Sequence, residues 1–193
     1  MAVVTATQIT NFTSISASAA AITSSGLIPI IQDRIAIITN NYFTTGIYIV
    51  GSCTFSASNG TVIVSGAELE DTGFIAGDDI YIYYSHRNDG YFTLSSVSGS
   101  TLTIVSAGTA FVAEPTLSTR PIQISVVRWP VDVMYAAAQM VKYDYDDRGN
   151  QAPGVRSRSL GPFSESFSDG GQSFGYPDDI LSAFDVHKVV RIM

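Results

Sequence analysis

The sequence predicts an α+β fold: a small, discontinuous helical bundle core formed by residues 1–46 and 126–193, with an antiparallel β-barrel or sandwich domain inserted over residues 47–125. Three observations predict it. Leu27, Ile28, Ile31, Ile35 and Ile38 recur at helical spacing, from Ile47 the apolar period changes to two, and after Trp129 a helical period returns.

Residues 1–25 are rich in Thr, Ser and Ala, with Ile9, Phe12 and Ile15 three apart, which leaves helix and strand both open. Ser24 or Ser25 can cap the next helix, Pro29 fits its first turn, and Asp33-Arg34 lie on the face opposite the isoleucine stripe. Ile30 and Ile37 make that helix apolar over much of its circumference, so it is expected to be clamped between neighbours. Asn40-Asn41 ends it.

The middle of the chain reads as short strands: Ile47 and Ile49, Thr61–Val64, Ile80–Tyr84, Tyr91–Leu94, Thr101–Val105 and Ile122–Ile124. Asn59-Gly60, Asn88-Asp89-Gly90 and Gly99-Ser100 are spaced as hairpin turns, because Gly after Asn or Asp accepts the positive φ of a tight hairpin. Such a set closes most economically as a barrel or sandwich, which removes exposed strand edges.

Pro130 suits a first helical position and Asp132 sits on the positive end of the helix dipole, so a second long helix starts there. Met134, Ala137, Ala138, Val141 and Tyr145 define its expected buried face, and Asp146–Asn150 ends it. Beyond Pro153-Gly154, two extended pieces around Arg156–Leu160 and Phe163–Phe167, turned by Gly161-Pro162, predict a hairpin arm. Pro177-Asp178-Asp179 starts a short helix with Ile180, Leu181 and Phe184 on one face, and Val186–Met193 is expected to be an extended strand.

Hydrophobic residues at 46% against 14% charged exclude a disordered polar chain. The net charge of −7 is uneven: residues 1–127 carry Arg34, Arg87 and Arg120 against eight acids, and residues 128–193 carry seven Lys/Arg against nine. No basic stripe is present, which disfavours sequence-independent nucleic-acid binding. The lone Cys53 cannot pair within the chain and reads as a small buried side chain. The first residues lack a signal-peptide layout and no apolar run reaches membrane length, so synthesis and use in a cytoplasm are expected.

Several motifs invite a chemical reading. Gly171-Gln172-Ser173-Phe174-Gly175 matches the G-x-S-x-G elbow, with Asp185 and His187 following in hydrolase order. The polar run before Ser173 and the Gly-Tyr-Pro after it offer neither the strand nor the helix an elbow needs, so a glycine-rich loop is the reading. Asp144–Gly149 has the acid density of a calcium loop, but Val155 stands where the bidentate Glu belongs. His86 and His187 lie far apart in sequence, and Glu68, Glu70 and Asp71 read as a solvated loop. No catalytic residue, metal or cofactor is expected. Tyr81, Tyr83, Tyr91 and Phe92 form either cross-strand pairs or a platform for sugars or bases. Arg156 and Arg158, two apart on a strand, project from one face and serve either as partners for acids on a neighbouring subunit or as a solvated arm.

A helix ending in Lys142-Tyr143-Asp144-Tyr145, then Gly154–Ser164, then Tyr176-Pro177-Asp178-Asp179-Ile180-Leu181 and a basic, apolar tail resembles the C-terminal half of tailed-phage head-to-tail adaptor (head completion) proteins. Leu27–Ile35 followed by Thr39–Phe43 is similar to the opening helix of that family, and the two pieces cover roughly half the chain. Gly77–Ile80, Asn88–Leu94 and Thr101–Thr103 resemble a small β module of phage structural proteins, here an insertion the family's typical members lack. The resemblance implies a structural virion protein without enzymatic activity, located in the neck between capsid and tail and assembled in the host cytoplasm. Its implied partners are copies of itself in a ring of about twelve, the portal protein and a tail-side neck or tail protein, with DNA passing through the channel without specific binding and no membrane involved. In such a ring the arm Val155–Phe167 and the tail Val186–Met193 are expected to be the donating parts, through Val155, Arg156, Arg158, Leu160, Phe163 and Phe167 of the arm and Lys188, Val190, Arg191 and Met193 of the tail. The alternative is a carbohydrate- or receptor-binding β module of a phage tail or fibre component.

Overall fold

The computed structural model describes residues 2–105, 111–112, 114, 121–147, 157–160, 163–166 and 172–189. These fall into two compact units, one spanning Tyr42–Arg128 and the other Ala2–Asn41 with the described residues from Trp129 onward.

The first unit holds seven strands: β1 (Thr44–Gly51), β2 (Cys53–Ser56), β3 (Thr61–Val64), β4 (Asp79–Tyr83), β5 (Gly90–Ser98), β6 (Thr101–Ile104) and β7 (Ile122–Val127). They form a single antiparallel sheet in the order β1-β7-β4-β5-β6-β3-β2. Neighbours in sequence pair through short turns, as where Ser98 opposite Thr101 closes on Gly99-Ser100, with Gly99 at φ +52. The last strand, β7, enters between β1 and β4. Alternation puts one face inward: Val62, Val64, Ile80, Ile82, Phe92, Leu94, Leu102, Ile122, Ile124 and Val126 form one buried cluster with Cys53, Phe55 and Phe111. Burial pushes the Cys53 thiol up to about 11, and the Glu114 carboxylate adds to the shift.

Two buried polar latches fix the loops of this sheet. Asp78, 4% exposed, accepts from the Arg128 guanidinium at 2.7 Å and from the Ile75 backbone N–H at 3.0 Å. Asn88, 2% exposed, donates to Glu114 at 2.7 Å and to the Val112 carbonyl at 2.9 Å, and its own carbonyl accepts from Val112 N–H at 2.7 Å.

The second unit begins with α1 (Ala6–Phe12), α2 (Ala19–Ser25) and α3 (Leu27–Thr39). Thr5 and Gln8 form a capping box on α1, and Ser18 caps α2. After α4 (Val131–Lys142) the backbone widens into a π-helical turn, Tyr143–Asp147. Then come the ribbon β8 (Ser157–Leu160) and β9 (Phe163–Ser166), the hairpin β10 (Gln172–Ser173) and β11 (Tyr176–Pro177), the four-residue helix α5 (Asp178–Leu181) and a 3₁₀ helix, Ser182–His187. Helices α1, α3 and α5 all touch α4.

The expected helical bundle core with an inserted β-barrel or sandwich is not what forms. Among the described residues the fold is dominated by one seven-stranded antiparallel sheet accompanied by five helices, and three of these, at seven, seven and four residues, are too short to run as bundle staves. A sandwich needs two facing sheets, whereas here every strand from β1 to β7 joins one hydrogen-bonded series.

The faces of the two long helices also differ from expectation. On α4 the buried residues are Val133, Ala136, Ala137, Ala138, Met140 and Val141, while Tyr145 is 38% exposed, because the extra residue in the π turn rotates Tyr145 away from the stripe. On α3, Ile31, Ile35 and Ile38 are buried, but Ile30 and Ile37 are 47% and 71% exposed, so its circumference is not clamped on all sides.

Candidate functional site

The ribbon β8–β9 is the first candidate surface. Its register pairs Ser157 with Ser166, Arg158 with Glu165, Ser159 with Ser164 and Leu160 with Phe163. Residues opposite one another, and residues two apart, share a face. One face of the ribbon therefore carries four serine positions and the other carries the positions of Arg158, Leu160, Phe163 and Glu165. The two strands make a sheet of their own. A two-stranded ribbon is marginal in water and gains stability by laying its apolar face on another surface. Three predicted contact residues, Arg158, Leu160 and Phe163, thus fall on one face. Val155, Arg156 and Phe167 lie outside the described residues.

Residues 186–189 are arranged differently from the extended strand that the sequence predicts over Val186–Met193. Val186 and His187 belong to the 3₁₀ helix, and the next residues are fastened to their own unit: Val189 N–H donates to the Thr39 carbonyl at 2.8 Å, Asn40 Nδ2 to the Val189 carbonyl at 3.0 Å and Asn41 Nδ2 to the His187 carbonyl at 3.2 Å. The first of these bonds satisfies the Thr39 carbonyl, which the end of α3 leaves without an intrahelical partner. Lys188 pairs with Asp185 at 2.7 Å on the surface. Val190, Arg191 and Met193 lie outside the described residues.

The outer face of the sheet is the second candidate. Tyr81 on β4 stands opposite Tyr91 on β5 with ring centroids 4.7 Å apart, Tyr83 lies 4.5 Å from Tyr81, and Tyr42 covers both at 4.3 and 5.5 Å. Tyr84 extends the group 5.9 Å beyond Tyr83. It is 52% exposed and holds φ +68, a conformation rare for an aromatic residue. Burial, with Tyr42 next, pushes the Tyr81 phenol upward. Phe92 is not part of this face: alternation turns it into the core, 4.7 Å from Phe111. Tyr42 and Tyr84 were not signalled by the two-residue period, since one precedes the strands and the other breaks the alternation at the end of β4.

The motifs with a chemical appearance come apart in three dimensions. Ser173 lies in a two-residue strand opposite Tyr176, and Phe174-Gly175 between them have φ +54 and +79, the signature of a type I′ hairpin turn in place of a strand-to-helix elbow. His187 Nε2 lies 2.7 Å from Asp132 Oδ2, and Asp185 is held by Lys188. Asp144 turns to Arg34 and Tyr176, whereas Asp146 accepts from the Ser16 N–H and hydroxyl, so these acids diverge. Glu70 accepts from Gly99 N–H at 3.1 Å and is exposed with Glu68 and Asp71. Among the described residues no group of three or more His, Cys, Asp or Glu is placed to hold a metal, and no single helix is long and apolar enough to cross a membrane.

One exposed residue stands at a variable position of the G-x-S-x-G match, where the motif gives it no role. Phe174 is 66% exposed at the tip of β10–β11, two residues from the fully buried Tyr176. Its signal is an aromatic in the slot before Gly where type I′ turns take Asn or Asp. Comparison with family models and with curated proteins finds no match to this chain.

Proposed function

We propose that this protein is a structural subunit of a tailed-phage neck, a head-to-tail adaptor whose copies assemble in a closed ring of about twelve between portal and tail and lengthen the DNA channel. The resemblance of Leu27–Phe43 and Lys142–Leu181 to that family supports the reading, and the single observation that carries it is the β8–β9 ribbon. Such a ribbon, with an Arg158/Leu160/Phe163/Glu165 face opposed to a serine face, suits an arm that lies on a neighbouring copy. The charge of −7 per copy favours passage of DNA over adhesion to it. Electron microscopy of the purified chain tests this: rings with a central hole are expected, and single copies at all concentrations would reject it.

A second reading, a glycan- or receptor-binding module of a tail component, draws on the tyrosine face. It predicts that a glycan array probed with the full chain gives a signal that Tyr84→Ala abolishes. An array without any signal removes it.

A further inference from the structure

We infer that Tyr42 and Tyr81 form an oxidative cross-linking site, at which one-electron oxidation driven by a peroxide joins the two rings into a dityrosine. The site is independent of the ring reading and lies within the first unit alone.

Two phenoxyl rings couple through their π orbitals, so the new carbon–carbon bond forms between opposed faces, at the carbons beside the oxygens. Tyr42 and Tyr81 meet that requirement: their centroids are 4.3 Å apart and their planes 32° from parallel. Tyr81–Tyr83 at 4.5 Å and 55°, Tyr81–Tyr91 at 4.7 Å and 77°, and Tyr42–Tyr83 at 5.5 Å and 87° are tilted further from parallel. The Tyr42 and Tyr81 phenols are also hydrogen-bonded side chain to side chain, which sets both oxygens at one end of the stack. The carbons that couple stand next to those oxygens.

Tyr42 and Tyr81 are half-buried, whereas Tyr84 is 52% exposed and can meet an oxidant directly. Tyr84 stands 5.9 Å from Tyr83, and Tyr83 stands 4.5 Å from Tyr81, so an electron leaves the pair by short ring-to-ring steps. Each phenol of the pair gives up one electron and its hydroxyl proton. The two ring carbons then bond, and the hydrogens they carried move to the oxygens, which restores both phenols. One hydrogen peroxide takes up the two electrons and two protons and becomes two waters.

Tyr42 precedes β1 and Tyr81 lies on β4, with β7 between those strands in the sheet, so the bond closes a long loop of the chain. Such a closure removes freedom from the unfolded chain, as a disulfide does, and stabilises the fold.

The test treats the full chain with hydrogen peroxide and a peroxidase, reads dityrosine by its fluorescence and maps the link by mass spectrometry. Cleavage after Glu68 and Glu70 puts Tyr42 and Tyr81 on different fragments. Those fragments are expected to be joined within one chain through Tyr42 and Tyr81, lighter by two hydrogen atoms, and the melting temperature of the treated chain is expected to rise by several degrees. Tyr42→Phe and Tyr81→Phe are each expected to lose the link and the rise. Tyr84→Phe is expected to slow the link severalfold, and Tyr48→Phe, at a position 56% exposed, to leave it unchanged. A wild-type link that maps to any other pair, such as Tyr48 joined to Tyr135 between chains, or no link at all, would overturn the site. Mapping in wild type decides this even where a variant fails to fold.

Discussion

Tyr176 donates its hydroxyl to Asp144 Oδ2 at 2.6 Å, and the same carboxylate oxygen accepts Arg34 Nη1 at 3.2 Å. Arg34 also bonds the Tyr176 hydroxyl and lies with its guanidinium carbon 5.5 Å from the Tyr176 ring centroid. Three elements meet in this cluster: α3 supplies Arg34, the π turn Asp144, and β11 Tyr176. The π turn has a local reason here, since one added residue brings Asp144 to Arg34 and Tyr143 to within 5.8 Å of the Tyr176 ring.

Burial, and the bond to Asp144 next, push the Tyr176 phenol up from 10.0 to about 12. A group whose folded value is raised stabilises the fold fully below its unfolded value and loses that contribution as pH rises through the folded value. The Tyr176 contribution should therefore be intact below pH 10.0 and fade between there and about pH 12. Urea unfolding at pH 9 and pH 11, compared in wild type and Tyr176→Phe, checks this: the variant is expected to be weaker by about 1–2 kcal/mol at the lower pH and to lose less on going to the higher one. Parallel declines in the two chains would refute the assignment.

The sheet's inward face can be tested by two isoleucines. Ile82 on β4 is fully buried, and Ile63 on β3 is 44% exposed on the other side of the alternation. Ile82→Ala should cost about 2–5 kcal/mol, because removed contacts and a residual cavity add. Ile63→Ala should cost under about 1 kcal/mol. Equal losses in urea midpoints would mean that the strands' faces are assigned wrongly.

Asn88 closes a loop of the sheet by serving Val112 twice and Glu114 once. Its removal leaves a buried carboxylate with one fewer donor and an amide without its acceptor. Asn88→Ala is expected to destabilise by about 2–4 kcal/mol, and Asn88→Asp by at least as much, since a second carboxylate then faces Glu114. Chemical denaturation of the two variants reads both figures. A loss of less than half a kcal/mol for either would show that the latch does not hold the loop, a threshold set roughly by the scatter of surface substitutions.

Much of this was legible from pattern, and the losses have physical causes. Pro130 and Asp132 mark the start of α4, and Gly99-Ser100 marks the β5–β6 turn, because both depend only on near neighbours in sequence. Helices α1 and α2 were open to either reading, although Thr5 and Gln8 spell a capping box, since Ile9 and Ile22 are their only buried residues and leave little apolar period. The place of β7 between β1 and β4 could not be read, as pairing across such separations has no local signature. Nor could the π turn, which answers to Arg34 and Tyr176 at distant positions. Of the candidate surfaces, the arm was readable from its Gly-Pro turn and flanking strands. Phe174 was not, because a motif search sees a Gly-rich loop where the backbone forms a hairpin.

The C-terminal stretch gives the last test. His187 reaches from the 3₁₀ helix to Asp132 in the first turn of α4, 2.7 Å away, while its carbonyl accepts from Asn41. The hydrogen bond from His187 holds the Asp132 carboxyl below the usual carboxylate range. A carboxylate lowered on folding stabilises above its unfolded value and loses that contribution as pH falls through the folded one, so the clasp should weaken under acid. Asp132 is half exposed, so added salt should screen much of this effect. Following the Asp132 carboxyl by NMR, its midpoint should rise in His187→Gln. An unmoved Asp132 midpoint would mean that His187 does not hold it in solution. The tail would then still be held by the bonds from Val189, Asn40 and Asn41.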